Sequence, residues 1–571
     1  MSLRELGVMS GPLARLIALA DELDNQFSAS TCDSGILGIG KRLVFLSLGD
    51  GRSRAVTADA IAPTVRDSCK RIIANKKFSN LRRTTLWRWA RIDVAVNITE
   101  ISWGDLKKLF SKTKRNYFKY GIAFGEKLST PITEAELLGW SLLYSPEHKQ
   151  SFPRETLLRR FSQDRFGVPF GWPQDDEAKM FLFSTLSGFC DHSSACLLEA
   201  DGPYRGYRII NDWNDCVVLS DLIKRSTHYL SRQIGADGEY CYGRWPCFDK
   251  RIPTYNTLRH FSSTYSLLEG WEFTRQAIHL AQAKRALDRG LQLYTETLNP
   301  LSSDSEGDVR FLREINGEIK LGGTAHVVLA LCKYQELTGD ICYRDAIAAF
   351  ARGLGYMQDL AQQGFVHVLN YKTFAIHAEF RTIYYDGEAL FALVQAYEAT
   401  GDGDFIKRAL RAARDFIADD HWKAHDHWLA YGFAALFRYS PQREFLQFGL
   451  DNIRGHLSFI MTRITTYPTL LELCTATHRL IHQARGRDEC QDLLDEFDMP
   501  LFMEAMNHRA RYLVNGFFWP ETAMFFRKPD SILNSFFIRH HAFRARIDDN
   551  EHYISGFCAY HKLLSQCRSA A

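Results

Sequence analysis

The chain has 571 residues, 46% of them hydrophobic and 24% charged, an ordinary globular composition. Its 70 Lys and Arg against 67 Asp and Glu leave a net charge of +3, which supplies no global field for nucleic acid or a membrane surface. The 13 cysteines are scattered without a CxxC, the first residues lack a signal peptide's apolar core, and no apolar run could span a bilayer. Free thiols in a reducing compartment and a cytoplasmic location are therefore expected.

In chain order, residues 1–150 read as a smaller N-terminal α/β domain. Arg42–Gly49 is a short apolar run stopped at Gly49-Asp50-Gly51, a strand followed by a tight turn. A helix is predicted over 62–74, a second strand over the aromatic and β-branched stretch 87–96, and another helix over 103–109. The glycines at 35, 38 and 40 have the wrong spacing for a dinucleotide or P-loop fingerprint. Lys107 to Lys119 interleaves lysines with aromatics; such a stretch can grip a phosphate, but a solvated helix face accounts for it as simply. Residues 151–211, with Pro153, Pro169 and Pro173, read as an irregular connection.

From 212 to 571 the texture changes to helix after helix. Asp386–Glu398 is apolar almost all round and stops at Thr400-Gly401-Asp402. The next helix carries Phe405, Ala409, Ala413 and Phe416 on one stripe and Lys407, Arg411 and Arg414 on another. This enclosed-then-amphipathic couplet recurs. Enclosed helices are predicted near 255–269, 323–338, 386–399, 426–438, 467–484 and 550–565. Amphipathic ones are predicted near 214–232, 272–297, 341–360, 403–418, 443–460 and 498–514. Six of each in strict alternation predict a mostly α fold, an (α/α)6 toroid behind the N-terminal domain.

In a closed ring the inner helices open onto one face, and each of them begins with a polar cluster. The clusters are Tyr255-Asn256-Thr257-Leu258-Arg259-His260; Gly322 to His326; Tyr384-Tyr385-Asp386-Gly387-Glu388; His425-Asp426-His427-Trp428; Thr466 to Glu472; and Arg546 to Tyr553. Any one of them could be a helix cap, but caps do not call for His, Arg and Tyr around every first turn. Converging, they predict a concave polar site with aromatic walls. The carboxylates Asp386, Glu388, Asp426, Asp548, Asp549 and Glu551 supply acid/base groups. From these clusters, His260, His427 and His552 are the candidates for proton transfer, with Asp386, Glu388 and Asp549 as acid/base partners. Arg259 and Arg546 would hold a substrate anion such as a uronate, and Tyr255, Tyr385, Trp428 and Tyr467 would shape the walls. The aromatic content of 13% suits stacking on sugar rings and suits large helix interfaces equally. Segments 365–371 with 377–381, and 516–521 with 535–541, read as rim loops that either cover the cleft or merely pack. His425, Asp426 and His427 with His552 and Asp549 have metal-friendly chemistry, but neighbouring helical positions point about 100° apart, and neither metal nor cofactor is expected.

The pattern over roughly 212–567 resembles the six-hairpin (α/α)6 toroids. These include the N-acylglucosamine and cellobiose 2-epimerases, the unsaturated glucuronyl hydrolases, and the C-terminal part of D-glucuronyl C5-epimerases. The resemblance is architectural. It implies a His pair as acid and base if the chain follows the epimerases, and Asp or Glu if it follows the hydrolases. The function expected is a carbohydrate-active enzyme, epimerase or hydrolase/lyase in type, acting on a polar, uronic-acid-containing or similar sugar. The alternative is a non-catalytic partner or binding subunit in cell-surface polymer biosynthesis. The partners expected are a small-molecule sugar or glycan and a protein docked through the N-terminal domain; nucleic acid and membrane insertion are not expected.

Overall fold

The computed structural model describes residues 11–29, 36–38, 40–74, 78, 87–125, 128–210, 213, 216–298 and 307–570. The first ten residues, which bear on the signal-peptide reading, and Gly35 of the glycine run lie outside them. Two compact units form: Met1–Asn211 with Arg244–Lys250 and Asn515–Ala545, and Asp212–Gly243 with Arg251–Val514 and Arg546–Ala571. Among the described residues no helix is long and apolar enough to cross a membrane.

The first unit is built on a sheet of β1 (Arg42–Gly49), β2 (Val56–Ala62), β3 (Trp89–Ser102), β4 (Gly121–Phe124), β5 (Thr130–Ile132), β6 (Lys179–Asp191) and β7 (Ala195–Leu197). The strand order is β2-β1-β3-β6-β4-β5, with β7 also on β6, and every described pairing is antiparallel. Its helices are α1 (Pro12–Ala29), α2 (Val65–Ile73), α3 (Trp103–Lys112), α4 (Glu134–Gly139) and α5 (Glu155–Phe166). Strand β1 shows why its sequence is almost wholly apolar. Val44, Leu46 and Leu48 join Leu16, Leu19 and Leu23 of α1 in one core, while Leu43 and Phe45 join Phe181 and Phe183 of β6 in another. With period-2 side chains and both faces covered, the strand's interior is apolar save for Ser47, whose buried hydroxyl pairs with that of Thr57 at 2.8 Å.

Residues 151–211 are not the irregular connection their prolines suggested. They contain α5 and the 13-residue β6, which lies between β3 and β4. Pro153 precedes the N-cap of α5, and Pro169 and Pro173 fall between α5 and β6, so none interrupts an element. Residues 515–545 also fold here, which breaks the toroid range of 212–571. Glu521 receives two hydrogen bonds of 2.8 Å from Arg208, and Ala55 donates its backbone N–H to the Met524 carbonyl at 2.7 Å. Phe518, Phe526, Phe537 and Phe543 form a core of their own. The stretches at 516–521 and 535–541 therefore pack within this unit.

The second unit is the ring. Its inner helices are α7 (Thr257–Thr274), α9 (Leu321–Thr338), α11 (Tyr384–Thr400), α13 (His427–Phe437), α15 (Thr469–Ala484) and α17 (Ile547–Ala570). Each packs on the next, and α17 returns to α7, closing a six-membered circle. Outside stand α6 (Val217–Ser231), α8 (Ala277–Tyr294), α10 (Arg344–Asp359), α12 (Gly403–Ala418), α14 (Arg443–Arg454) and α16 (Met499–Leu513). Each rests on one or two inner helices, α6 on α7 and α17, α14 on α13 and α15. The unit is an (α/α)6 toroid. The enclosed helices were apolar all round because they are covered by neighbours on both sides and by an outer helix behind: in α9, Leu321 to Cys332 are all buried.

Two inner helices end on the same device. Gly339 and Gly401 take φ of +72° and +78°, where a side chain would be strained, and return an N–H to Gln335 and Tyr397. The preceding Thr338 and Thr400 hydroxyls donate back to Tyr334 and Ala396 and accept the N–H of Asp340 and Asp402.

Candidate active site

The inner helices all start at one end of the ring, and contacts between first and second turns link every neighbouring pair. Arg259 of α7 lies 3.6 Å from Asp548 of α17. Gly323 of α9 abuts Leu258 of α7, and Nδ1 of His326 on α9 lies 3.8 Å from Oε2 of Glu388 on α11. Gly387 lies against the backbone of Trp428 and Leu429 on α13; the Tyr431 hydroxyl reaches Glu472 of α15 at 3.4 Å; and Glu472 meets Nδ1 of His552 on α17 at 2.9 Å. The close approach depends on glycine: a Cβ at Gly322 would sit 1.9 Å from Oε2 of Glu388.

The first turns do cap. Asn256 accepts the N–H of Arg259 at 2.9 Å, and Asp426 accepts that of Leu429 at 2.8 Å. Glu314 accepts the N–H of Thr257 at 2.9 Å from outside the helix. The chemistry lies one turn deeper. Glu388, Glu551, His552 and His326 sit there, beside Glu472 and His427 of the first turns, and Ser262 donates to Glu551 at 2.5 Å. The His427 and His552 rings meet edge-on at 5.3 Å, and Trp428 lies 4.9 Å from His326 and 6.3 Å from His552.

Burial dominates the electrostatics. It pushes Glu388 well above the usual carboxyl value against the opposing pull of Arg259. It carries Glu472 and Glu551 up to about 7 and drives His326 down to about 3. Burial also works against the charge of Arg259, but Asp548, Glu551 and Glu388 outweigh it and hold the guanidinium protonated. Among the described residues, Oε2 of Glu388, Nε2 of His326, Nε2 of His427 and Oδ1 of Asp548 are buried without a hydrogen bond. Buried polar atoms are rarely left so, and their gathering in one layer marks it as built for something other than stability.

The sequence candidates divide. Arg259, Glu388, His427, Trp428 and His552 come together in this layer. Tyr385 flanks it, its ring beside Gly322. His260 does not join: Nδ1 is 2.7 Å from the Tyr255 hydroxyl and Nε2 is 2.8 Å from the Ala286 carbonyl of α8, so both ring nitrogens are committed. It is a satisfied core histidine, and Tyr255 is its partner rather than a wall. Asp386 faces sideways, 3.1 Å from His367 of the 365–381 hairpin, into a lateral cavity of about 450 Å³ shared with His421. Arg546 is taken up by Asp549 at 3.0 Å and Asp548 at 2.8 Å, which removes both Arg546 and Asp549 from the free groups. Tyr467 lies under the Arg463 guanidinium at 5.6 Å. His425 turns away to the Asn452 carbonyl and stacks on His456. Glu472 and Glu551, which the sequence placed in the clusters but not among the catalytic candidates, belong to the layer as well.

The chain is similar in structure to toroidal sugar enzymes. It matches a D-mannose isomerase at 11% identity and a TM-score of 0.43, over 62% of this chain and 99% of that one. It matches the cellobiose 2-epimerase of Bacillus thermoamylovorans at 10% and 0.44, over 61% and 99%. An unsaturated glucuronyl hydrolase specific for heparin matches at 12% and 0.42, over 61% and 98%. Two of the groups the sequence resembles, the cellobiose 2-epimerases and the unsaturated glucuronyl hydrolases, are thus among its structural neighbours. No family model and no curated protein matches the chain. At these values the likenesses add nothing to the site, which stands on the residues above.

Proposed function

We propose that the ring is an acid–base enzyme acting on a neutral, polyhydroxylated sugar or glycan, of epimerase or glycoside hydrolase type. The observation that carries this reading is Glu388, only 2% exposed, with one carboxyl oxygen lacking a hydrogen bond and a charged Arg259 and a neutral His326 beside it. A carboxyl group raised in this way is a proton donor that works near neutrality. Glu551, held by Ser262, is its partner across the layer.

Charge balance selects the substrate class. Two guanidinium groups, Arg259 and Arg546, already face two carboxylates, Asp548 and Asp549. Neither of these guanidinium groups is left over to hold a uronate, and a polyol that exchanges hydrogen bonds with the free buried atoms fits better. The test incubates the full chain in D2O with neutral aldoses, neutral disaccharides and uronates. Deuterium entering a carbon-bound position marks epimerisation or isomerisation, and new reducing ends mark hydrolysis. A neutral sugar turned over by the wild type and not by Glu388→Gln is the expected result. Turnover confined to uronates would overturn the charge argument, and full activity in Glu388→Gln would overturn the site.

A further inference from the structure

Three groups in this layer form a set with different chemistry. His427, Glu472 and His552 come from three successive inner helices, all three are buried, and the donor atoms they offer lie within 4.8 Å of one another. It is the only such group among the described residues. Nε2 of His427, in a residue 4% exposed, has no hydrogen-bond partner. A buried imidazole nitrogen without a partner is costly to keep, and an ion is the ligand that two imidazoles and a carboxylate share best.

The surroundings fit the same reading. Asp426 Oδ1 stands 3.2 Å from Nδ1 of His427 without a hydrogen bond, so a small ring rotation would bring a carboxylate onto the far nitrogen, as around metal-bound histidines. Tyr431 donates to Glu472 at 3.4 Å and orients it. We propose that His427, Glu472 and His552 bind one divalent ion of the zinc type. The inference rests on the acid–base reading for its chemistry but not for its binding. The donors lie within 4.8 Å of one another, against roughly 3.3 Å between neighbouring ligands of a tetrahedral zinc; small rotations of two rings and a carboxylate, which part His552 Nδ1 from Glu472 at 2.9 Å, reach that geometry. Three protein ligands leave a position for a substrate oxygen, which the ion would polarise while Glu388 and Glu551 move protons.

This set escaped the sequence because the apparent cluster, His425-Asp426-His427, is not the binding group. His425 leaves it, and Glu472 joins from a helix whose first turn carries no histidine.

The test strips the full-length protein with a chelator, titrates it with Zn²⁺ alone, and counts bound metal per chain by mass spectrometry. Co²⁺ is then substituted so that visible absorption reports the ligand geometry. One ion per chain is expected, with affinity falling at least about 100-fold in His427→Asn, Glu472→Gln and His552→Asn and about 10- to 100-fold in Asp426→Asn. The exposed His377→Ala should bind as the wild type. Circular dichroism checks the fold of each variant, and the proposal needs two of the three ligand variants folded to be read. Less than stoichiometric binding, or an ion retained by folded ligand variants, overturns it. Sugar turnover in the same samples separates the two claims. An ion without turnover leaves the metal site and sinks the acid–base reading, whereas turnover by protein that binds no ion does the reverse.

Discussion

Charge is buried in both units, but on different terms. In the sheet unit Arg208 makes two bonds to Glu521, Arg91 is bonded to Asp93, and Arg165 lies 2.8 Å from both Glu136 and Asp59. Each of these three guanidinium groups meets carboxylates that match it. At the mouth of the ring the carboxyls outnumber the arginines, and Glu388, His326, His427 and Asp548 each keep an atom with no hydrogen bond. Matched buried charge fixes how segments dock, whereas mismatched buried charge is tolerated where a ligand is to complete it.

Substitutions should separate these two kinds of burial. The largest effect expected is on turnover: Glu388→Gln should lower it by about 10²- to 10⁴-fold, measured on whichever sugar the wild type converts. Below pH 4.5 the same change should move stability by less than about 1 kcal/mol. Its pH dependence has a definite sign. Glu388 is raised above the usual 4.5 in the folded state, so its contribution to stability is complete below that value and is lost as pH rises beyond it. Denaturant melts of wild type against Glu388→Gln should therefore diverge above pH 4.5, with the wild type losing ground.

Next in size, Glu521→Ala should cost about 3–5 kcal/mol by leaving Arg208 unpaired, read from urea unfolding. If instead Glu521→Ala were neutral and Glu388→Gln severely destabilising, the contrast between the units would be the wrong way round. Gly322→Ala places a methyl group on Glu388 and should cost about 1–3 kcal/mol while also reducing turnover. Asp386→Asn is the smallest: because Asp386 faces the lateral cavity, turnover should stay within a factor of about two.

Much of the ring was legible because its period is local. The alternation of enclosed and amphipathic helices follows from each helix's own neighbours, and Thr-Gly-Asp marks two of its stops in plain sequence. The site was legible only in outline. Asp386 and Glu388 are two residues apart, which on a helix puts them about 200° apart, so only one can face the axis. Nothing local says which. His425 and His427 posed the same choice, and His260 was claimed by a tyrosine and a carbonyl from other segments. The docking of 515–545 was harder still: Arg208 and Glu521 are 313 positions apart, and an aromatic-rich stretch would suit any core.

The circle closes where α17 meets α7, helices whose first residues are Ile547 and Thr257. That seam joins elements synthesised far apart in time, so the ring stays open until its final member leaves the ribosome. Asp548, Glu551 and His552 all ride on that member. An unfinished chain therefore lacks the partners of Arg259 and Glu472 at the mouth, and the polar layer is incomplete before assembly is over.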